Sequence, residues 1–124
     1  MYDILDLHTH TTASGHAYNS LCEMVRAAAE AGLTLFGCSD HTPAMPGSCE
    51  AFHFINFKVI PRELFGVKVL MGAELNIMDF EGTVDLPPDY LERLKTSKTA
   101  EELYRNLEGG TAEAEKNRTY AKTI

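Results

Sequence analysis

Histidines are concentrated near the start of the chain, where their spacing is typical of metal ligands. Three of the five histidines, His8, His10 and His16, fall within nine positions. Side chains of a strand alternate between its two faces, so a strand that carries His8 and His10 projects both imidazoles on one side. Most isolated histidines bind no metal, but two neutral imidazoles placed side by side form a chelate for a transition ion. This stretch therefore predicts part of a metal site.

Two later apolar runs end in further candidate ligands. The run at 33–38 is followed by Asp40 and His41, and the run at 67–73 is followed by Glu74. Short apolar runs are typical of strands covered on both faces, and α/β folds collect their ligands where parallel strands end. We therefore expect His41 and Glu74 to lie on the same rim as the histidine pair.

The ligand types on this rim indicate which chemistry it could perform. Imidazoles and carboxylates suit Zn²⁺, Mn²⁺ and Fe better than calcium, and Glu74 has two oxygens that could bridge two ions. Such an ion lowers the pKa of a bound water and stabilises the charge that grows on a phosphoryl oxygen, so no protein nucleophile is needed. Asp40 is a second candidate catalytic residue beside Glu74, because it could orient an imidazole, although it could equally cap a loop.

The composition excludes several classes of protein. With 124 residues, 44% of them hydrophobic, the chain suits one globular domain. Residues 1–90 hold 4 Lys/Arg against 12 Asp/Glu, so we expect no nucleic-acid partner, which would need a basic face. We see no leader pattern and no apolar run of membrane-spanning length. Three cysteines at spacings unlike a zinc ribbon indicate a reducing cytoplasm, with Cys38 in the core rather than as a soft ligand.

The segments between the apolar runs predict the helices that position them. Residues 20–31 begin with the spacing of a capping box, and Gly32 is a natural helix terminator. Residues 53–64 suit a strand or a helix, and we favour helical turns because parallel strands require a crossover. Two prolines predict a short helix over 87–94, and the polar residues 95–124 predict a helical tail.

Five separated motifs share their order and spacing with one known family. They are Asp6-Leu7-His8-Thr9-His10-Thr11, His16-Ala17-Tyr18, Ser39-Asp40-His41, His53-Phe54-Ile55-Asn56 and Gly72-Ala73-Glu74-Leu75-Asn76-Ile77. Over residues 3–90 the chain resembles the PHP (polymerase and histidinol phosphatase) superfamily, and most of all its YcdX-like phosphatase branch. The resemblance implies a distorted (βα)₇ barrel, up to three metal ions at its C-terminal rim, and hydrolysis of a small phosphorylated substrate.

The resemblance also implies a distribution of the ligands among the ions. His8, His10 and Glu74 would hold one ion, Glu74 would bridge to a second, and His16 and His41 would hold a third. The ions would be Zn or Mn, with Fe as a further possibility. Fewer ions are expected here than in the family, because the family takes additional histidines from later strands.

The chain departs from the family pattern after the third predicted strand, since no histidine follows His53. We therefore predict an α/β fold, an incomplete (βα)₇-type barrel of about three parallel strand-helix units with a helical C-terminal tail. The partial PHP domain would occupy residues 1–94 and the tail residues 95–124. His53 and Arg62 are candidate contacts for substrate phosphate, although charged side chains on helices are usually solvated.

The predicted function is a metal-dependent phosphoester hydrolase whose metal site is incomplete. One alternative is a non-catalytic metal-binding remnant. Another is an amidohydrolase-like hydrolase, because that group also begins with His-x-His, although its lysine or distant histidine ligands are absent. Three parallel strands would leave two unpaired edges and an open inner face near Leu5, Leu35 and Val69. We therefore expect a homo-oligomer, a covering partner fragment or tail, or a poorly folded monomer.

Overall fold

One mixed β-sheet with helices against it forms the fold, in a computed structural model that describes residues 4–95. The strands are β1 (Leu5–Thr9), β2 (Leu35–His41), β3 (Glu63–Leu64) and β4 (Val67–Glu74), in the spatial order β1-β2-β4-β3. The helices are α1 (Leu21–Glu30), α2 (Phe52–Ile55) and α3 (Pro88–Lys95), with short 3₁₀ helices at Thr12–Ser14 and Asn56–Val59. Among the described residues, no helix is long and apolar enough to cross a membrane.

The three longer strands are parallel, as the sequence predicted. β1 pairs with β2 from Leu5 opposite Leu35, and the register shifts before Thr9. β2 pairs with β4 without interruption as far as His41 opposite Glu74. Because parallel strands end on the same side, the residues at their C-terminal ends share one edge of the sheet.

The two-residue strand β3 was not predicted. It pairs antiparallel with the start of β4, where Leu64 lies opposite Val67, through a tight turn at Phe65 and Gly66 with positive φ angles of 53° and 78°. It covers part of the β4 edge that we expected to be open. A strand of two residues has no alternation of apolar and polar positions that could be recognised.

Helix α1 begins and packs as its sequence predicted. The Ser20 hydroxyl accepts a hydrogen bond from the Glu23 amide, and the Glu23 carboxylate accepts one from the Ser20 amide at 2.6 Å, which completes the capping box. On its inner face α1 buries Val25 and Ala28. The helix thereby fills the crossover between β1 and β2.

The buried core lies on the helix-covered face of the sheet. Val67 and Val69 of β4 pack with α1, whereas Ala73 of the same strand packs with Phe54 and Phe57 of the second helical segment. Even numbers of positions separate Val67, Val69 and Ala73, so their side chains lie on the same face of the strand. Our expectation that Val69 borders an open inner face is wrong, because its side chain is 0% exposed beneath the helices.

The second crossover and the last helix also follow the prediction. Residues 52–59 are helical rather than extended, first as α2 and then as a 3₁₀ helix. α3 starts at Pro88 and contributes Tyr90 and Leu91 to the core. The tail predicted over 95–124 lies outside the described residues except for Lys95, and it stays a prediction.

Candidate metal centre

Five predicted ligands meet at the edge of the sheet where the parallel strands end. They are His8 in β1, His10 just beyond it, His16 in the following loop, His41 at the end of β2 and Glu74 at the end of β4. Since β2 lies between β1 and β4, its last residue is placed between the ligands of the two flanking strands. The order of the strands therefore explains why ligands distant in sequence converge.

The first group of possible ligands consists of His8, His10 and Glu74, whose ligand atoms all lie within 4.8 Å of one another. Oε2 of Glu74 is 2.9 Å from Nε2 of His8 and 3.3 Å from Nε2 of His10. Nε2 of His41 lies 3.7 Å from the same oxygen. One carboxylate oxygen thus faces three imidazoles.

The second group consists of His10, His16 and His41, again with ligand atoms within 4.8 Å of one another. The rings of His10 and His41 stack with centroids 4.6 Å apart and planes at 8°. The His16 ring lies 5.1 Å from His10 and 4.9 Å from His41. His10 therefore belongs to both groups, whereas the family resemblance placed it with one ion.

The charges of the site suit a cation. Burial and the nearby His41 ring lower the pKa of His10 below its usual value, which keeps this imidazole neutral near pH 7. Burial alone would raise the pKa of Glu74, but the hydrogen bond from His8 and the neighbouring His41 lower it, so the carboxylate is ionised. Neutral imidazole and ionised carboxylate are the forms that bind metal ions. The donor atoms therefore fit a transition ion.

Asp40 caps the loop that follows β1. It is 1% exposed and accepts hydrogen bonds from the Thr11 amide (2.6 Å), the Thr11 hydroxyl (2.8 Å) and the Ser14 hydroxyl (2.7 Å). Burial opposes ionisation, but the nearby His53 ring and these hydrogen bonds hold the pKa of Asp40 well below its usual range. Asp40 therefore caps this loop and also reaches the His10 ring through Ser14, and its catalytic role stays a prediction.

Ser14 was missed by sequence reasoning. Its side chain is 1% exposed, and its hydroxyl accepts a hydrogen bond from the His41 amide at 3.0 Å and lies 3.2 Å from Nδ1 of His10. A serine beside Gly15 is typical of an ordinary loop. Nothing local in the sequence marks it as a neighbour of residues 26 and 27 positions away.

A second network, also missed, joins the ligand-bearing ends of β2 and β4. The Thr42 amide donates to the Glu74 carbonyl at 3.1 Å, and the Thr42 hydroxyl donates to Asp85 at 2.6 Å. Asp85 also accepts from the Asn76 amide (3.0 Å), the Asn76 side chain (2.9 Å) and the Ala44 amide (2.8 Å). This Asp85 network holds the loop after β2 against the residues that follow Glu74.

The two predicted phosphate contacts lie apart from the ligand groups. Nε2 of His53 is buried without a hydrogen bond among residues 4–95 and lies 3.6 Å from Oδ2 of Asp40. Arg62 lines a different cavity of about 280 Å³, together with Lys58 and Arg93. The Arg62 carbonyl accepts a hydrogen bond from Val69, near the start of β4 and away from its ligand-bearing end.

The three cysteines, Cys22, Cys38 and Cys49, are free thiols. Cys38 is 1% exposed in the core, and burial raises its pKa far above the usual value. Burial also raises the pKa of Cys49 to about 11. Neither of the two ligand groups among the described residues includes a thiol, so Cys38 is a core residue, as predicted.

The chain is similar to curated proteins named as probable phosphatases. A probable phosphatase of Acetivibrio thermocellus is 48% identical over 91 residues, which cover 73% of this chain and 38% of that protein. A probable phosphatase of Caldicellulosiruptor bescii is 49% identical over 94 residues, which cover 76% of this chain and 39% of that protein. This chain thus spans about two-fifths of the length of these curated relatives. It matches the PHP domain family over residues 6–123, nearly its whole length, and it belongs to that family.

Proposed function

We propose that the chain carries a metal-dependent phosphoester hydrolase site of the PHP type, with Zn or Mn as the ion and Fe as a further candidate. The observation that supports this most strongly is the position of Glu74. Its Oε2 lies between 2.9 and 3.7 Å from Nε2 atoms of His8, His10 and His41, at the ends of three adjacent strands. A carboxylate oxygen surrounded by imidazoles is a suitable ligand set for a transition ion.

Each ligand has a proposed place. His8, His10 and Glu74 would hold one ion, and His16 and His41 would hold another, with His10 also within reach of the second pair. A bound ion of this type acts as a Lewis acid on a phosphoryl oxygen and makes a bound water more acidic. Glu74 contributes the negative charge that favours a cation, and its low pKa maintains that charge at neutral pH.

The remaining predicted residues serve the site from outside the ligand groups. Asp40 keeps the loop between His10 and His16 in place through Thr11 and Ser14. His53 approaches Asp40 and is a candidate to contact substrate phosphate. Arg62 could contact a phosphorylated substrate only if the substrate extended to its separate cavity.

The site in this chain is proposed to be incomplete. The chain spans about two-fifths of the length of its curated relatives, and four histidines with one carboxylate, divided between two ions, leave coordination positions for water or for other ligands. A second copy of the chain or a separate partner fragment could supply them. We therefore infer weak hydrolysis by the isolated chain.

Hydrolysis of a generic phosphomonoester with and without added Mn²⁺ or Zn²⁺ tests the proposal. We expect slow turnover that requires the metal and falls at least about 100-fold in His8→Ala and Glu74→Gln, since loss of a direct ligand exceeds the usual effect of an outer residue. Glu81→Gln, which changes an exposed carboxylate, is the matched control and should keep wild-type activity. Undiminished activity in EDTA or in both ligand variants would refute the mechanism. Metal binding without turnover would instead favour the non-catalytic alternative.

A further inference from the structure

Ser14 is a single buried residue that contacts three of the five candidate ligands and also the carboxylate of Asp40. Its hydroxyl lies 2.7 Å from Oδ1 of Asp40, 3.0 Å from the His41 amide nitrogen and 3.2 Å from Nδ1 of His10. Its carbonyl oxygen lies 3.1 Å from Nδ1 of His16. These four contacts determine where the ring protons of two histidines must be.

The hydroxyl contacts allow only one arrangement of protons. A serine hydroxyl has one proton to donate and two lone pairs that accept. The carboxylate of Asp40 can only accept, so the hydroxyl proton points to Asp40. The His41 amide can only donate, and it occupies one lone pair of the Ser14 oxygen. The remaining lone pair faces Nδ1 of His10, and that contact is a hydrogen bond only if Nδ1 carries a proton.

The carbonyl contact leads to the same result for His16. A backbone carbonyl has no proton to donate, so Nδ1 of His16 must be the donor. In a neutral imidazole only one nitrogen carries a proton, and a proton on Nδ1 leaves the lone pair on Nε2. For His10 that nitrogen lies 3.3 Å from Oε2 of Glu74, inside the first ligand group. That oxygen accepts its hydrogen bond from Nε2 of His8 at 2.9 Å and makes none with His10, so the Ser14 hydroxyl is the hydrogen-bond partner of the His10 ring.

We propose that Ser14 is a positioning residue that fixes His10 and His16 as Nδ1–H tautomers, with the Nε2 lone pairs available to an ion. The His10 tautomer depends on the Ser14 hydroxyl, whereas the His16 tautomer depends on the Ser14 backbone. The tautomers are a property of the metal-free protein, and only their consequence for metal affinity rests on the proposed function. Hydrogen bonds of this kind to the second ring nitrogen commonly tune metal-binding histidines.

Long-range ¹H–¹⁵N NMR of the metal-free, full-length chain at a pH of about 8 tests the inference, because at that pH neutral histidines reveal which nitrogen is protonated. We expect the Nδ1–H pattern for both His10 and His16. In Ser14→Ala the His10 pattern should change to a mixture of tautomers, whereas the His16 pattern should persist. Thr12→Ala, which removes an exposed hydroxyl from the same 3₁₀ turn, should change neither ring.

The wild-type spectrum tests the tautomers even if Ser14→Ala does not fold. Ser14→Thr keeps the hydroxyl, so this variant should preserve the Nδ1–H patterns of both His10 and His16. In a Zn²⁺ titration, Ser14→Ala should weaken binding about 10–100-fold and Thr12→Ala should not. An Nε2–H pattern for wild-type His10, or a His10 pattern unchanged in Ser14→Ala, would overturn the inference. Nδ1–H patterns in a protein that binds no Zn²⁺ would support the inference and contradict the proposed function.

Discussion

Nε2 of His8 lies 2.9 Å from Oε2 of Glu74, although the two residues are 66 positions apart and belong to strands separated by β2. The contact joins the ends of β1 and β4 across the top of the strand between them. It depends on the parallel register that places His41 opposite Glu74. The geometry of the candidate site is thus a direct consequence of the strand order.

Metal affinity should depend on pH because protons and metal ions compete for the same ring nitrogens. We expect affinity for Zn²⁺ to be high at pH 7.5 and to decline as the pH falls below about 6.5, the ordinary pKa of histidine. The lowered pKa of His10 moves the protonation of this one ring to lower pH. Calorimetric titrations at pH 7.5, 6.5 and 5.5 measure the effect. If the affinity for Zn²⁺ did not change over this range, histidines would not be the ligands.

Removing the charge of Asp85 should destabilise the fold. Burial opposes its ionisation, but hydrogen bonds from Thr42, Ala44 and Asn76 lower its pKa from the unfolded value of about 3.8. A carboxyl with a lowered pKa stabilises the folded state above the unfolded pKa, and this contribution disappears as the pH falls through the folded pKa. Asp85→Asn should therefore cost about 1–3 kcal/mol at pH 7.

Urea unfolding of wild type and Asp85→Asn at pH 7 and at pH values below 4 checks this expectation. The difference in the free energy of unfolding should be largest at pH 7 and should shrink in acid. Asp89→Asn, at an exposed position of the first turn of α3, provides a comparison outside the Asp85 network. A difference that stayed constant with pH would mean that the charge of Asp85 is not responsible.

Gly15→Ala should lower the stability of the fold more than Gly82→Ala, although the two glycines have similar φ angles. Gly15 has φ 74° and Gly82 has φ 83°, so both substitutions place a side chain in the left-handed region. A Cβ at Gly15 would also collide with the carbonyl group of Gly47, whereas a Cβ at Gly82 would meet nothing within 4 Å. We expect costs of about 1 kcal/mol for Gly82→Ala and about 2–4 kcal/mol for Gly15→Ala.

Thermal or urea unfolding gives the free energy of unfolding of the two variants. The difference between them separates the effect of the collision with Gly47 from the effect of the positive φ angle. Gly15→Ala should additionally weaken metal binding, because the next residue is the candidate ligand His16. Equal stabilities of Gly15→Ala and Gly82→Ala would show that Gly15 and Gly47 do not need to approach each other closely.

Association of the chain is expected from its exposed strand edge. Among residues 4–95, β1 pairs with β2 alone, so its other edge has backbone groups without partners in the sheet. β3 covers only the first two residues of β4 on the opposite edge. Light scattering should detect a dimer or a larger species. A monodisperse monomer with a sharp cooperative melt would contradict this expectation.

Periodicity and apolar runs were sufficient to predict β1, β2, β4 and α1, because each has a local pattern. The convergence of His41 and Glu74 could be predicted since parallel strands end on the same side. Ser14 and Asp85 could not be predicted, because short polar residues are common in loops and distant partners give them their roles. Ser14 bonds residues 26 and 27 positions away, and Asp85 bonds residues up to 43 positions away.

The metal content of chain purified without chelator, before and after reconstitution with Zn²⁺ or Mn²⁺, tests the central claim most directly. Elemental analysis should find at least one transition ion per chain in the wild type and in Glu81→Gln. It should find substantially less in Glu74→Gln, because that variant loses the carboxylate that faces three imidazoles. Zn, Mn and Fe at background levels, unchanged by reconstitution, would contradict the account.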